Sequence, residues 1–325
     1  MDRRSFLKFT SVSLGIGTLY SVAPAALTNA HAAAFFRENG KRSGEAVKPF
    51  TFVQLSDTHV GFNGPPDPIG SKPFERAVEV INALPNRPDL AIFTGDLTHD
   101  TEKPGEHADR MKQFQQIASQ LKVQKTALVP GEHDAGLDSG VLFREHFGQT
   151  HYSFDHRGVH FVGVDNVSRA KPEVGAEQIA WLKQDLARFD KASPIVLFTH
   201  RPLFDLKPEW EWFTSDGDEV MNLLAPFENA TVLYGHIHRD DEHTIGHTHM
   251  RAARSLCFAF PDPATTAEKK PLPFDKDQPF KNVGVREVAV NAKAKASVEI
   301  HEVALTLKET GGVNGMQQLL RATEF

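Results

Sequence analysis

Only one cysteine, Cys257, occurs in the 325 residues. An intramolecular disulfide is therefore excluded, and so is a zinc site built from several thiolates. Positive charge is not in excess: the formal net charge is −6. That argues against a nucleic-acid backbone as the main partner, since proteins that bind one usually carry a basic face. There is no internal repeat and no low-complexity tract. Long hydrophobic runs are missing too; the apolar stretch over 12–22 is short and broken by Gly and Ser, which disfavours a stable membrane anchor. What remains is 40% hydrophobic and 24% charged, ordinary for a folded soluble protein, with length enough for one large domain or two modest ones. Histidine is plentiful at sixteen residues, several of them beside acidic residues.

The N-terminus has the layout of an export signal: Arg3-Arg4-Ser5-Phe6-Leu7-Lys8, the apolar run, then small residues through Ala34. The paired arginines followed by Phe-Leu-Lys resemble a twin-arginine signal, which implies export of an already folded protein by machinery that reads Arg3-Arg4. Cleavage is expected after Ala30-His31-Ala32 or at Ala34, giving a signal over 1–34 and a periplasmic or otherwise exported product. No cysteine lies near the cut, so no lipid anchor is expected.

From Phe50 onward the pattern alternates strand and helix. The stretch 52–59, Phe-Val-Gln-Leu-Ser-Asp-Thr-His, reads as a short strand ending in a carboxylate and an imidazole. Because side chains alternate along a strand, Asp57 and His59 aim the same way if the extended geometry lasts one more step. Ser71-Lys72-Pro73 reads as a helix start, followed by Phe74, Ala77, Val78, Ile81 and Leu84 at helical spacing. Buried-type strands over 89–94, 126–129, 195–198 and 231–234 alternate with helices, and 152–164 reads as a hairpin. Beyond this come strands without helices, over 244–250, 256–260, 283–290 and 298–307. Strand–helix units first and hairpins later predict an α/β fold: a four-layer α-β-β-α sandwich, two mixed sheets face to face with helices outside. The expected organisation is a catalytic-type domain over 48–263, with a strand-rich extension over 264–325 that packs on the same domain and joins the second sheet.

The chemical residues recur in one place, just after a buried strand: Asp57 and His59, Gly95-Asp96, Glu132-His133-Asp134, His200, then Gly235-His236-Ile237-His238. Strand carboxyl ends in α/β sheets line a shared crevice, so residues distant in sequence can converge there. The steps between them are one or two strand–helix–strand units of at least about 30 residues. Carboxylate and imidazole together suit a divalent metal.

As an ordered set these motifs resemble those of the calcineurin-like metallophosphoesterases, over 50–260. The resemblance implies two metal ions, Fe, Mn or Zn, bridged by Asp96. One would take Asp57, His59, Asp96 and His238; the other Asp96, Glu132, His200 and His236. It also implies in-line attack on phosphorus by a metal-bound hydroxide, with His133 bonding the phosphoryl or leaving-group oxygen and Asp134 orienting and charging His133. The chain departs from the family at Glu132, where asparagine is usual. With two dications, Asp57, Asp96 and Glu132 leave a charge of about +1, where asparagine leaves about +2. Tighter metal retention and a weaker pull on dianionic substrates are the expected results.

A narrower resemblance, to the bacterial cyclic nucleotide phosphodiesterases, rests on Gly175, Gln178, Trp181 and Leu182 and on Ser255-Leu256-Cys257-Phe258-Ala259-Phe260. It implies a small, cyclic-nucleotide-like phosphodiester as substrate, although export would separate the protein from intracellular cyclic AMP. A phosphomonoesterase and a non-catalytic metal-binding protein on the same scaffold are the alternatives. Arg201 is a candidate phosphate contact or surface ion pair, and His99 and Asp100 are candidates for orienting ligands. Trp210, Trp212 and Phe213 could stack on a base or simply pack their loop. His243, His247 and His249 read as solvated imidazoles on a hairpin, and Cys257 as an inert core thiol.

Overall fold

The structure is a computed structural model that describes residues 46–103, 105–291 and 297–305. Its strands, in chain order, are β1 (Phe50–Leu55), β2 (Leu90–Thr94), β3 (Lys125–Val129), β4 (Tyr152–His156), β5 (Val159–Gly163) and β6 (Pro194–Phe198). They continue with β7 (Asn229–Tyr234), β8 (Asp241–Ile245), β9 (Thr248–Ala252), β10 (Gly284–Asn291) and β11 (Ser297–Ala304). The helices are α1 (Lys72–Asn82), α2 (Glu106–Ala118), α3 (Glu132–Ala135), α4 (Val141–Phe147), α5 (Ala176–Leu186) and α6 (Gly217–Leu224).

Two mixed sheets result, in the orders β11-β10-β1-β2-β3 and β4-β5-β6-β7-β9-β8. Alternation along the strands sorts the core into layers. Phe52, Leu90, Ile92 and Val129 point between the sheets and meet Phe154, Phe161, Val196 and Phe198. Phe161 lies edge-on to Phe52 at 5.6 Å and stacks on Phe154 at 5.0 Å. The intervening residues Val53, Ala91, Phe93 and Leu128 face outward onto Phe74 and Ile81 of α1, Phe114 of α2 and Phe147 of α4. On the far side Val162, Leu197 and Val232 pack on Leu182 of α5 and on Val220 and Leu224 of α6. Each fully buried large side chain contributes about 1.5–3 kcal/mol, so both helix layers are firmly attached. The expected four-layer order is therefore present.

Three features differ from expectation. The C-terminal strands join the first sheet: β10 pairs antiparallel with β1, Phe50 opposite Val290, and takes its open edge. Residues 256–260 are not a strand, because Leu256 N–H bonds the carbonyls of Ser56 and Asp57 at 3.0 and 3.2 Å, crossing the end of β1 instead of pairing along it. The stretch 244–250 turns at Gly246, so it forms β8 and β9 in place of one strand. No helix among the described residues is long and apolar enough to cross a membrane. The signal-like segment over 1–34, with Arg3 and Arg4, lies outside the described residues.

Candidate metal centre

β1 delivers Asp57 and His59, β2 Asp96, β3 Glu132, β6 His200, and β7 His236 and His238. The loops after β1 and β2 stay zipped together, with Asp57 N–H on Gly95 O and His59 N–H on Asp96 O, both at 3.0 Å. Extended geometry does not persist here. Asp57, His59, Asp96, His236 and His238 have φ of 53°, 41°, 48°, 66° and 52°. The left-handed region is unfavourable for residues with a Cβ, and such residues gather at functional sites, where the surrounding fold holds them. Asp57 and His59 thus converge through two left-handed turns and not through strand alternation.

Glycines make room for this convergence. A Cβ on Gly131 would lie 2.0 Å from Asp96 Oδ1, and one on Gly235 would lie 1.9 Å from Ser56 Oγ and 2.7 Å from Asp57 Oδ2. Neither site tolerates a side chain without moving a ligand.

Among the described residues two ligand sets contain carboxylates: Asp57, His59, Asp96 and His238, and Asp96, Glu132, His200 and His236, the ligand atoms of each within 4.8 Å of one another. These are the sets that the family resemblance implies. Asp96 is common to both, its Oδ2 at 3.4 Å from Nε2 of His59 and of His200. Its Oδ1 accepts the His133 N–H at 3.0 Å, which fixes the carboxylate plane. Glu132 spans the second set, with Oε2 2.8 Å from His200 Nε2 and Oε1 2.8 Å from His236 Nδ1.

Carbonyl acceptors behind the rings select the tautomers. His200 Nδ1 donates to Thr94 O at 2.6 Å, His238 Nδ1 to Phe258 O at 2.9 Å, and His236 Nε2 to Glu211 O at 3.1 Å. A carbonyl only accepts, so each ring, in its neutral form, turns a lone pair toward the centre. His59 has His99 behind it instead, Nδ1 to Nδ1 at 3.3 Å. In front, His59 Nε2 and His238 Nε2 stand 3.1 Å apart, and His200 Nε2 and Glu132 Oε2, both buried, face each other at 2.8 Å. Carboxylate charges and ring nitrogens converging in a buried site need cations between them to be stable. The donor set fits two of them.

Charge adjusts accordingly. Burial opposes ionisation of Glu132, yet His236, His200 and Arg201 outweigh it and hold this carboxyl well below its ordinary range. Burial likewise opposes a charged His133, yet Asp96, Asp100 and Glu132 carry it up to about 9. Cations in the two sets would pull that value down again.

The partner of His133 is not the expected one. Asp134 makes no hydrogen bond to it. Its Oδ2 accepts from Leu97 N and Gly131 N, both at 2.9 Å, and its Oδ1 from Thr98 N at 2.8 Å and the Thr98 hydroxyl at 2.9 Å. Asp134 thereby ties the Asp96 loop to the start of α3. Burial and Asp96 push it up to about 7. His133 Nδ1 pairs with Asp100 Oδ1, and that bond holds Asp100 down at about 2. The only advance signal was the place of Asp100 in the loop after Asp96.

Other candidates resolve as follows. Arg201 is buried and turned toward Glu132 and Glu211. Trp210 and Trp212 are buried against each other at 4.8 Å and pack their loop; Phe213 makes no ring contact among the described residues. His243 pairs with Asp241 at 3.0 Å and His249 with Thr244 at 3.2 Å, on the β8–β9 hairpin away from the centre. Burial raises the Cys257 thiol well above its ordinary value. Gln178 bonds the backbone of Asp165 at both ends of its amide, a core role.

Two ligand sets sharing one carboxylate, at the strand ends of a two-sheet sandwich, are the arrangement of two-metal phosphoester hydrolases. The profile described as Calcineurin-like phosphoesterase matches residues 50–240, and the chain belongs to that family. Over 201 residues it is 26% identical to the probable glycerophosphodiester phosphodiesterase GpdQ of Arcobacter nitrofigilis, covering 58% of this chain and 71% of that protein. Over 229 residues it is 27% identical to a probable cyclic nucleotide phosphodiesterase of Rhodococcus erythropolis, covering 67% and 74%. Among solved structures, the purple acid phosphatase PPD1 of yellow lupin seeds matches with a TM-score of 0.56 at 13% identity, over 81% of this chain. The chain spans 55% of that protein, and the likeness shows the fold.

Proposed function

We propose that this protein hydrolyses a small phosphodiester with two metal ions, Fe, Mn or Zn, held in the Asp96-sharing ligand sets. The observation that carries the reading is the pair of sets with their lone pairs turned inward, beside a His133–Asp100 pair. When bound, such ions supply a nucleophile at neutral pH and positive charge for the phosphoryl oxygens. The chain's own residues do the rest. Asp96 sets the separation of the two sets. His133, fixed at Nδ1 by Asp100, offers Nε2 to the leaving-group oxygen as proton donor. Phe258 and Phe260 stand 4.5 and 5.3 Å from His238, and Phe62 stands 5.0 Å from His99. These half-buried rings give the organic arms of a diester an apolar rim.

The diester preference draws support from the two phosphodiesterase relatives. A phosphomonoesterase is the second reading, favoured by Arg201 at 3.5 Å from Glu132, which offsets the carboxylate that would repel a dianion. Export through Arg3-Arg4 to the periplasm rests on the segment 1–34 alone. Metal analysis of the mature protein, with paired diester and monoester chromogenic substrates, tests the proposal. The expected result is about two metal equivalents, faster diester turnover, and loss of at least about 100-fold in Asp96→Asn and His133→Ala. Full metal content with no turnover on any phosphoester would establish the non-catalytic alternative instead.

A further inference from the structure

Glu132 adds a negative charge where the family pattern has a neutral amide, and the structure sets a cation beside it. Arg201 Nη2 lies 3.5 Å from Glu132 Oε1, with the arginine side chain only 10% exposed. Nη1 donates to Glu211 O at 2.9 Å, the same carbonyl that receives His236 Nε2–H at 3.1 Å. Glu211 offers that carbonyl from a left-handed turn, φ 61°, closing the one-turn helix at Pro208–Trp210. The peptide of Arg201 is fixed on both sides by Asn166, whose Oδ1 accepts its N–H at 3.2 Å and whose Nδ2 donates to its carbonyl at 3.0 Å. Arginine keeps its charge at any working pH.

We infer that Arg201 is the charge counterpart of Glu132, a positioning residue that restores to the second metal set the net charge an asparagine would have left and so sets its affinity for dianionic phosphoryl groups. This rests on the phosphoesterase reading. Two dications against Asp57, Asp96 and Glu132 leave about one positive charge, and Arg201 returns a second. Aimed at Glu132 and at the carbonyl behind His236, the guanidinium acts on the anion through the field of the site and not as a direct clamp. The expected loss of affinity for dianions through Glu132 is thereby cancelled. Glu132 and Arg201 are then one device: an anionic ligand that grips metal more firmly than an amide, with its field neutralised from behind.

Inorganic phosphate at pH 8 is the probe, titrated by calorimetry into metal-loaded full-length protein, with metal content measured in each sample. Relative to wild type, Arg201→Gln is expected to bind phosphate about tenfold more weakly and Glu132→Asn about tenfold more tightly. That is the fold-change of one unit charge at about 6 Å in a half-screened site. The double variant returns to the wild-type affinity, and Arg201→Lys, which keeps the charge without the fork, retains most of it. If the double variant stays as weak as Arg201→Gln, or lysine fails to rescue, Arg201 grips the anion or merely braces the fold, and the compensation is refuted. Arg201→Gln is expected to hold its metal at least as firmly as wild type, because removing a cation lessens repulsion of the bound ions; loss of metal in Arg201→Gln would show that Arg201 braces the ligands and refutes the charge role. Wild type that binds metal but no phosphate would instead overturn the phosphoesterase reading itself.

Discussion

Asp100 and Asp134 make opposite predictions, because one pairs with His133 and the other holds the floor beneath it. In Asp134→Asn an amide NH2 replaces one of two oxygens that together accept four hydrogen bonds. Whichever way the amide turns, two of these donors lose their acceptor at a residue that is 1% exposed. Each buried donor left unsatisfied costs about 1–3 kcal/mol, so the loss is about 2–6 kcal/mol. For a domain of this size about 2–4 °C accompanies each kcal/mol, which puts the fall in melting temperature at roughly 10 °C. Asp100 is 36% exposed at its side chain, and it accepts from His133 and from its own backbone N–H without tying two segments together. Asp100→Ala should change stability by less than about 1 kcal/mol. Freed at Nδ1, His133 should lose about 10- to 100-fold in kcat/KM, or about 1.4–2.7 kcal/mol of transition-state stabilisation. Thermal unfolding at pH 8.5 and steady-state kinetics on a chromogenic diester, run on both variants, separate the two roles. Should Asp134→Asn melt like wild type yet lose turnover while Asp100→Ala stays active, the dyad in solution is His133–Asp134 and the assignment is wrong.

Two further outcomes concern the scaffold. His160 is buried with Asp155 on Nδ1 and Asp185 on Nε2, each at 2.7 Å; burial opposes its charge, but these two carboxylates outweigh it and raise its pKa above 6.5. Its contribution to stability is therefore complete below pH 6.5 and is lost as pH rises through the raised folded value. Burial opposes ionisation of Asp185, but His160 prevails and lowers it below 3.8, so that contribution is complete above pH 3.8 and fades as pH falls through the lowered value. Urea midpoints of the wild type should peak between these limits, and His160→Gln should flatten the alkaline side; an unchanged pH profile would discount the triad. Gly235→Ala should cost more than half the bound metal, since its Cβ meets Asp57 Oδ2 at 2.7 Å. Metal analysis after gel filtration checks this, and full occupancy would show that the strand ends relax more easily than their packing suggests.

What could be read in the sequence, and what could not, divides along how far each residue's task depends on its neighbours in the chain. The four-layer fold was legible because each strand carries its own alternation: Val53 outward and Phe52 inward needs no knowledge of what lies opposite. The ligand residues were legible because each is announced locally, by a buried strand before it. Asp100 had no such signal. It reaches His133 from a loop 33 residues earlier, while Asp134, next in sequence, looked like the natural partner. On a helix adjacent residues diverge by about 100°, so neighbours along the chain do not face each other. The same reasoning covers 256–260, whose apolar alternation resembles a strand but whose Leu256 N–H is taken by the end of β1 and whose Cys257 N–H is taken by the Ser255 hydroxyl. Arg201 is the most instructive of these. It directly follows the ligand His200, and from the sequence its charge had only a phosphate or a surface carboxylate to meet. Its partner turned out to be the one ligand that departs from the family pattern, 69 residues away. The departure at Glu132 and the cation that answers it make sense only together, and only the fold brings them to one point.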